Sequence, residues 1–294
     1  MINFSIIIPN RNNVELLSRC LDSIPKRDDI QIIVVDDNSD KHLVDFDKYP
    51  GYDNPNVELV FSKEGKGAGY ARNVGLKFAK GQWLVFCDSD DEIITDTFSK
   101  KLDEYLYSDA EIIFFDVLVI DYESKEVLSA NNPYQNIIRS KKRNREELCR
   151  YKLRVPWGKM IKKTLIIENN IEFDETRVAN DAVFSLKTGF FAKEVVIDTT
   201  PIYRWFTFRK DSITSNRDLD SVKIHIYCAI RINDFLFSKK LDKYRNNLFY
   251  YFPMLIRSGM AKWKAFCFLW KNESSKYRFF DLKEAMTDYY MKQN

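Results

Sequence analysis

Short runs of β-branched and aliphatic residues alternate with stretches of helical spacing through the first 120 positions. Ser5-Ile6-Ile7-Ile8 reads as an opening strand. Val14, Leu16, Leu17, Cys20, Leu21 and Ile24 then fall at helical intervals until Pro25 stops them. Further strands are predicted at 30–35, 57–61 and 83–86, with a turn over 49–56. A glycine-rich opening at 65–69 leads into a helix over 70–78, which Gly81 ends. A helix over about 96–107 and an extended run over 112–120 complete the series. Such β-α-β alternation implies a parallel-centred sheet with right-handed crossovers. Beyond it, 122–145 lose periodicity and 146–215 alternate short helices and strands. The remainder reads as helices at 219–238, at 245–271 with Pro253 interrupting, and at 281–292. The predicted organisation is an α/β half over 1–121, a second half of the same domain over 122–215, and a helical extension over 216–294.

Acidic clusters stand just past three of these segments. Ile32-Ile33-Val34-Val35 runs into Asp36-Asp37-Asn38-Ser39, and Trp83-Leu84-Val85-Phe86 runs, after Cys87, into Asp88-Ser89-Asp90-Asp91. Val178-Ala179-Asn180-Asp181 precedes an apolar helix-like stretch. The crevice at the carboxyl ends of parallel strands is where open α/β sheets bind ligands. Carboxylates gathered there repel one another unless a cation or a donor-rich ligand joins them. A divalent ion such as Mg²⁺ or Mn²⁺ takes hard oxygen ligands, one or two carboxylates plus phosphate oxygens. Two Asp separated by one residue can divide that labour, although a DxD triplet alone arises in many proteins by chance.

Composition narrows the class. Apolar residues make up 45% of the 294 and charged residues 30%, which fits a globular chain rather than a disordered one. The five cysteines are scattered without a CxxC pair, which suits a reducing cytoplasm and argues against a disulfide framework or a zinc site. The opening residues lack the basic region of a signal peptide, and no apolar run is long enough to span a bilayer. The net charge of +3 is uneven: residues 216–294 hold 15 Lys/Arg against 8 Asp/Glu, which leaves the first 215 acidic. A basic extension fits an anionic partner such as lipid headgroups, and equally a solvated face. The run from Arg139 to Arg145 lacks interleaved aromatics, so nucleic acid is not the expected partner.

The segment Gly65–Gly69, with Arg72 and Asn73, has the character of a phosphate cradle in which Arg72 pairs with a diphosphate. Its spacing is not that of a P-loop, and a plain glycine turn is the competing reading. Taken in order, these elements resemble the family 2 inverting glycosyltransferases of GT-A fold. Ser5-Ile6-Ile7-Ile8-Pro9-Asn10 is similar to the family's opening strand and nucleotide loop, with Arg11 beside it. Val34-Val35-Asp36-Asp37-Asn38-Ser39 resembles its uracil-binding element, and Gly67-Ala68-Gly69-Tyr70-Ala71-Arg72-Asn73-Val74-Gly75 its Gly-x-x-x-Ala-Arg-Asn-x-Gly segment. Asp88-Ser89-Asp90-Asp91 matches its DxD motif, and Asn180-Asp181 stands where the family has Glu-Asp. The likeness runs over about 4–215.

The resemblance implies a GT-A type, mixed and mainly parallel sheet flanked by helices, with a helical C-terminal extension. It implies a hexosyltransferase that moves a sugar from a nucleotide donor, most simply UDP-linked, to a glycan or lipid-linked acceptor. The implied setting is bacterial surface-polysaccharide assembly. Pro9, Asn10, Arg11, Asp37, Arg72 and Asp88 would meet the nucleotide. Asp90 would hold Mn²⁺ or Mg²⁺, and Asp181 would act as general base. Side chains 37, 90 and 181 are expected to converge on one hollow. Trp157 and Lys159 are acceptor candidates, with a core tryptophan as the alternative. Arg204 and Arg209 are candidate contacts of a flap over the donor diphosphate. His42 and His225 lie outside every motif. The amphipathic, basic stretch 254–271 either packs on the domain or lies on the membrane, so the chain is expected in the cytoplasm or at the inner face of the cytoplasmic membrane. A sugar-nucleotide nucleotidyltransferase is the competing enzyme class, but Pro9-Asn10-Arg11-Asn12-Asn13 stands where its glycine-rich loop belongs. A scaffold with a degenerate site is the non-catalytic alternative.

Overall fold

The structure, a computed structural model, describes residues 1–128, 132–208 and 218–272. It divides the chain into two compact units, Met1–Arg209 and Lys210–Asn294.

The first unit is built on an eight-stranded mixed sheet. Its strands are β1 (Phe4–Asn10), β2 (Ile30–Asp37), β3 (Val57–Ser62), β4 (Trp83–Phe86), β5 (Glu92–Ile93), β6 (Ile112–Asp121), β7 (Lys159–Lys162) and β8 (Val195–Thr207), in the order β3-β2-β1-β4-β7-β6-β8-β5. Strands β3, β2, β1 and β4 run parallel, as do β6 and β8, whereas β7 lies antiparallel between β4 and β6. Every residue of β1, β2 and β4 is buried, which explains why these strands read as continuous apolar runs rather than alternating ones.

Strand β1 is the point at which the strand order reverses. From it the chain builds outward to β2 and β3, then returns to place β4 on its other side. The carboxyl ends of β2, β1 and β4 therefore lie side by side, with Asn10 opposite Asp36 and Ile7 opposite Phe86. This places three of the sequence motifs on one edge of the sheet.

The helices of this unit include α1 (Val14–Asp22), α2 (Ala68–Phe78), α3 (Thr95–Tyr105), α4 (Pro133–Ile138), α5 (Arg145–Lys152), α6 (Lys163–Glu168) and α7 (Ala182–Phe191). Helix α2 lies so close to the sheet that a β-carbon on Gly75 would come 2.5 Å from Ile7. A glycine is therefore a packing requirement there. The aperiodic stretch after 122 still forms α4, because Pro133 occupies its first turn and the Asn132 side chain accepts the Tyr134 amide.

The second unit contains α8 (Leu219–Ser238), α9 (Phe252–Arg257) and α10 (Lys262–Asn272), packed around Val222, Ile226, Ala229, Leu248, Leu255, Ala265 and Leu269. Pro253 does not interrupt a helix, contrary to the sequence reading. It lies in the first turn of α9, where its missing N–H is no loss, and the break falls at Gly259, whose φ is +95°. The helix expected at 281–292 lies outside the described residues. No described helix is long and apolar enough to cross a membrane.

Candidate active site

The motif after β4 forms a tight turn in which the Asp91 amide donates to the Asp88 carbonyl at 3.0 Å. Asp88, Asp90 and Asp91 each bring a carboxylate oxygen within 4.8 Å of the others. Burial, with the charges of Asp90 and Asp88 added, pushes the Asp91 carboxyl well above the usual carboxylate range. Such a set of hard oxygens gathered on one turn fits a divalent cation.

Arg72 ties this turn to the third acidic group. Its buried guanidinium donates to Asp88 Oδ1 at 2.5 Å and to Asn180 Oδ1 at 2.9 Å, across 108 positions of sequence in the second case. Its Nε is buried without a hydrogen-bond partner, and the guanidinium lies 5.3 Å over the Phe173 ring. The backbone turns through the left-handed region at Ala179, with φ of +55°, to present Asn180 and Asp181 at the start of α7. Asp181 occupies the cap position, but its carboxyl makes no capping bond. Burial raises that carboxyl to about 6; Arg72 draws it down, Asp88 drives it up, and Lys159 draws it down again. A carboxylate with that value, held near a buried arginine, has the character of a general base.

Close packing accounts for Gly69. A β-carbon there would lie 2.0 Å from the Asp174 carbonyl oxygen and 2.9 Å from Asn180 Cβ. The segment carrying Asn180 can thus approach α2, and with it Arg72, only across a bare glycine.

The nucleotide-side candidates are arranged differently. Asp37 is buried and its carboxylate accepts the Gly67 amide at 2.5 Å and the Lys66 amide at 3.3 Å. The glycine loop is thus pinned to β2, and those two amides are turned to Asp37 rather than outward to a phosphate. Asp36 is structural: it accepts the amide and hydroxyl of Ser39 and the hydroxyl of Tyr49. Asn10 donates to the Tyr49 hydroxyl at 2.7 Å, while its Oδ1 is buried without a hydrogen-bond partner and stays available to a donor. Pro9 is buried beside it, and Arg11 is exposed, its guanidinium near Gly65.

The acceptor and flap candidates divide. Trp157 is 5% exposed and stacks on Tyr203 at 5.4 Å, with Trp205 at 5.2 Å and Tyr134 at 5.1 Å. This is the packed tryptophan of the alternative reading; the half-buried Trp205 lies nearer solvent. Lys159 is 1% exposed and its ammonium donates to the Leu153 carbonyl at 2.8 Å. Burial lowers it to about 7, against the pull of Asp181. It therefore acts on Asp181 through its charge, from inside the wall. Arg204 pairs with Glu92 at 3.2 Å, and Arg19 holds the other oxygen of that carboxylate. Arg209 lies outside the described residues.

Two further side chains shape the motif turn. The Tyr203 hydroxyl accepts the Asp88 amide and donates to Asp91, and Arg19 donates to the Asp90 carbonyl at 2.7 Å. Arg19 sits on α1, outside every motif, and nothing in its sequence surroundings marks it. Asp91 falls inside a motif visible in the sequence, and Tyr203 directly precedes the flap candidate Arg204.

The profile of the family described as Glycosyl transferase family 2 matches residues 5–169. The chain is 29% identical over 223 residues to poly(ribitol-phosphate) beta-N-acetylglucosaminyltransferase TarS of Staphylococcus aureus, covering 71% of this chain and 36% of that protein. It is 24% identical over 269 residues to GalNAc(5)-diNAcBac-PP-undecaprenol beta-1,3-glucosyltransferase of Campylobacter jejuni, covering 89% and 84%. The chain thus spans about a third of the length of the poly(ribitol-phosphate) relatives it matches. In fold it is similar to crystalline S. aureus TarS 1–349 with UDP-GlcNAc, at a TM-score of 0.61 and 18% identity over 95% of this chain and 73% of that one. It is also similar to a mannosyltransferase from Pyrobaculum calidifontis with GDP-Man and Mn²⁺, at a TM-score of 0.56 and 17% identity over 99% and 79%.

Proposed function

Because the chain belongs to glycosyl transferase family 2, we propose that it moves a sugar, with inversion, from a nucleotide donor of UDP type to a hydroxyl of a glycan or lipid-linked saccharide. The observation that carries this reading is the Arg72 bridge, which brings the DxD carboxylate Asp88 and the segment bearing Asp181 to one guanidinium.

Asp181 accepts the proton of the acceptor hydroxyl as its oxygen attacks the anomeric carbon. The bond from that carbon to the diphosphate oxygen breaks, and the nucleoside diphosphate leaves with the electron pair. General-base help of this kind is worth roughly 10²–10⁴-fold. Arg72, buried and pre-oriented, offers positive charge to the negative charge that develops on the leaving diphosphate. Mn²⁺ or Mg²⁺, held by Asp90 with Asp88, supplies Lewis-acid stabilisation of the leaving diphosphate when bound. Asn10, through its unpartnered Oδ1, and Asp37, through the glycine loop it anchors, serve the nucleotide side.

The TarS neighbour in complex with UDP-GlcNAc supports the choice of donor. The relatives named for poly(ribitol-phosphate) and undecaprenol-linked substrates support a role in bacterial surface-polysaccharide assembly. UDP release from a panel of UDP-sugars, assayed with Mn²⁺ and with chelator, tests the reading. Turnover unaffected by chelator removes the metal, and turnover of no nucleotide sugar removes the activity.

We extend the reading to the inner face of the cytoplasmic membrane through the second unit. Residues 243–272 carry six Lys or Arg and no Asp or Glu, and Trp263 of α10 is 74% exposed. Tryptophan beside lysine on one helix suits an anionic lipid interface. Flotation with phosphatidylglycerol-containing vesicles checks it, and association that salt does not weaken would count against it.

A further inference from the structure

We infer that Tyr203 is a positioning residue for the cation motif, its hydroxyl setting the spacing at which the carboxylates of 88–91 face a divalent ion. The inference rests on the metal-dependent reading above.

The hydroxyl accepts the Asp88 amide at 3.1 Å and donates to Asp91 Oδ2 at 2.7 Å, so one oxygen joins both ends of the turn. A phenol has one proton to give and lone pairs to receive, and both kinds of bond are used here. The other Asp91 oxygen accepts the Phe206 amide at 2.8 Å. Strand β8 therefore grips the motif at two positions three residues apart. The ring itself is 1% exposed and lies parallel to the Trp157 indole within 5°. That stack holds the ring that carries the hydroxyl.

Deleting the hydroxyl alone would leave the stack intact. The Asp88 amide and the buried Asp91 carboxylate would lose their shared partner, and the turn would lose one of the restraints that keep its ligand oxygens within 4.8 Å of one another. Mg²⁺ and Mn²⁺ are exacting about ligand geometry, and partners that orient metal ligands typically contribute 10–100-fold in affinity.

The test is Mn²⁺ binding to the full chain in the presence of UDP, followed by electron paramagnetic resonance, for wild type, Tyr203→Phe and Tyr105→Phe. The Tyr105 hydroxyl makes a bond of the same kind to Asp198, also on β8, at 3.0 Å. The expected result is an Mn²⁺ dissociation constant raised roughly 10–100-fold in Tyr203→Phe and unchanged in Tyr105→Phe. UDP affinity in chelator should be alike in all three, and turnover of Tyr203→Phe should recover as Mn²⁺ is raised. Wild-type Mn²⁺ affinity in Tyr203→Phe, or an equal loss in Tyr105→Phe, overturns the inference. A wild type that binds no Mn²⁺ removes the metal reading itself, and the inference with it. If Tyr203→Phe does not accumulate as folded protein, 3-fluorotyrosine at 203, which alters the hydrogen bonding of the phenol without removing it, is read against the same replacement at 105 in the same titration; a changed Mn²⁺ affinity at 203 alone is expected, and no change overturns the inference.

Discussion

Replacing Asp181 by asparagine should raise stability while removing activity, and the size of both effects follows from the surroundings of one carboxyl. Burial moves the group from its ordinary 3.8 to about 6, so the folded state binds its proton more tightly than the unfolded state does. Stability from this group is therefore lost as pH rises from about 4 through 6, and the ionised carboxylate burdens the fold above that. At ~1.4 kcal/mol per pH unit the burden is about 3 kcal/mol at neutral pH. Asparagine keeps the shape without the charge and should recover much of it. Part is offset at Lys159, whose ammonium Asp181 helps to keep protonated. A net gain of roughly 1–3 kcal/mol is expected near pH 7.5, shrinking towards zero by about pH 4. Guanidinium denaturation of the two proteins across that range measures it. Sugar transfer should fall by about 10²–10⁴-fold, read as UDP release with acceptor present, while donor binding persists. If Asp181→Asn is less stable than wild type at neutral pH, or its gain does not change with pH, the carboxyl is not held in the strained state described. Wild-type transfer by that variant would falsify the general-base role.

Three other outcomes are expected. Turnover of the wild type should drop up to about tenfold per pH unit below about 6, as Asp181 takes up its proton, and a profile flat down to pH 5 contradicts this. Arg72→Gln should weaken kcat/KM by about 10²-fold or more, because it removes the charge shared by Asp88 and the Asn180 segment; a loss confined to KM would make Arg72 a binding group only. Gly69→Ala should displace the segment at 174–180, since its methyl would sit 2.0 Å from a carbonyl oxygen; the crystal structure or amide exchange of that segment checks it, and an unshifted segment refutes the close-packing account.

The sequence alone determined those features that depend on neighbours along the chain. Buried parallel strands need unbroken apolar runs, so β1, β2 and β4 were readable, and so were the acidic groups that end β2 and follow β4 on one edge of the sheet. Helix α8 was readable at its observed limits as a long stretch of helical character, and the structure shows Asp218 capping its start. Only the tertiary structure decided which side chains meet. The β7 strand enters antiparallel between β4 and β6 through contacts distant in sequence, which no local period encodes. Asp37 and Lys159 have the residue types of a site, yet one is held by loop amides and the other by a backbone carbonyl, because burial obliges each to find the nearest partner. The Arg72 bridge spans 108 positions and the Tyr203–Asp91 bond 112. Charge and hydrogen bonding act through space, so the pattern along the chain names the groups and only the fold pairs them.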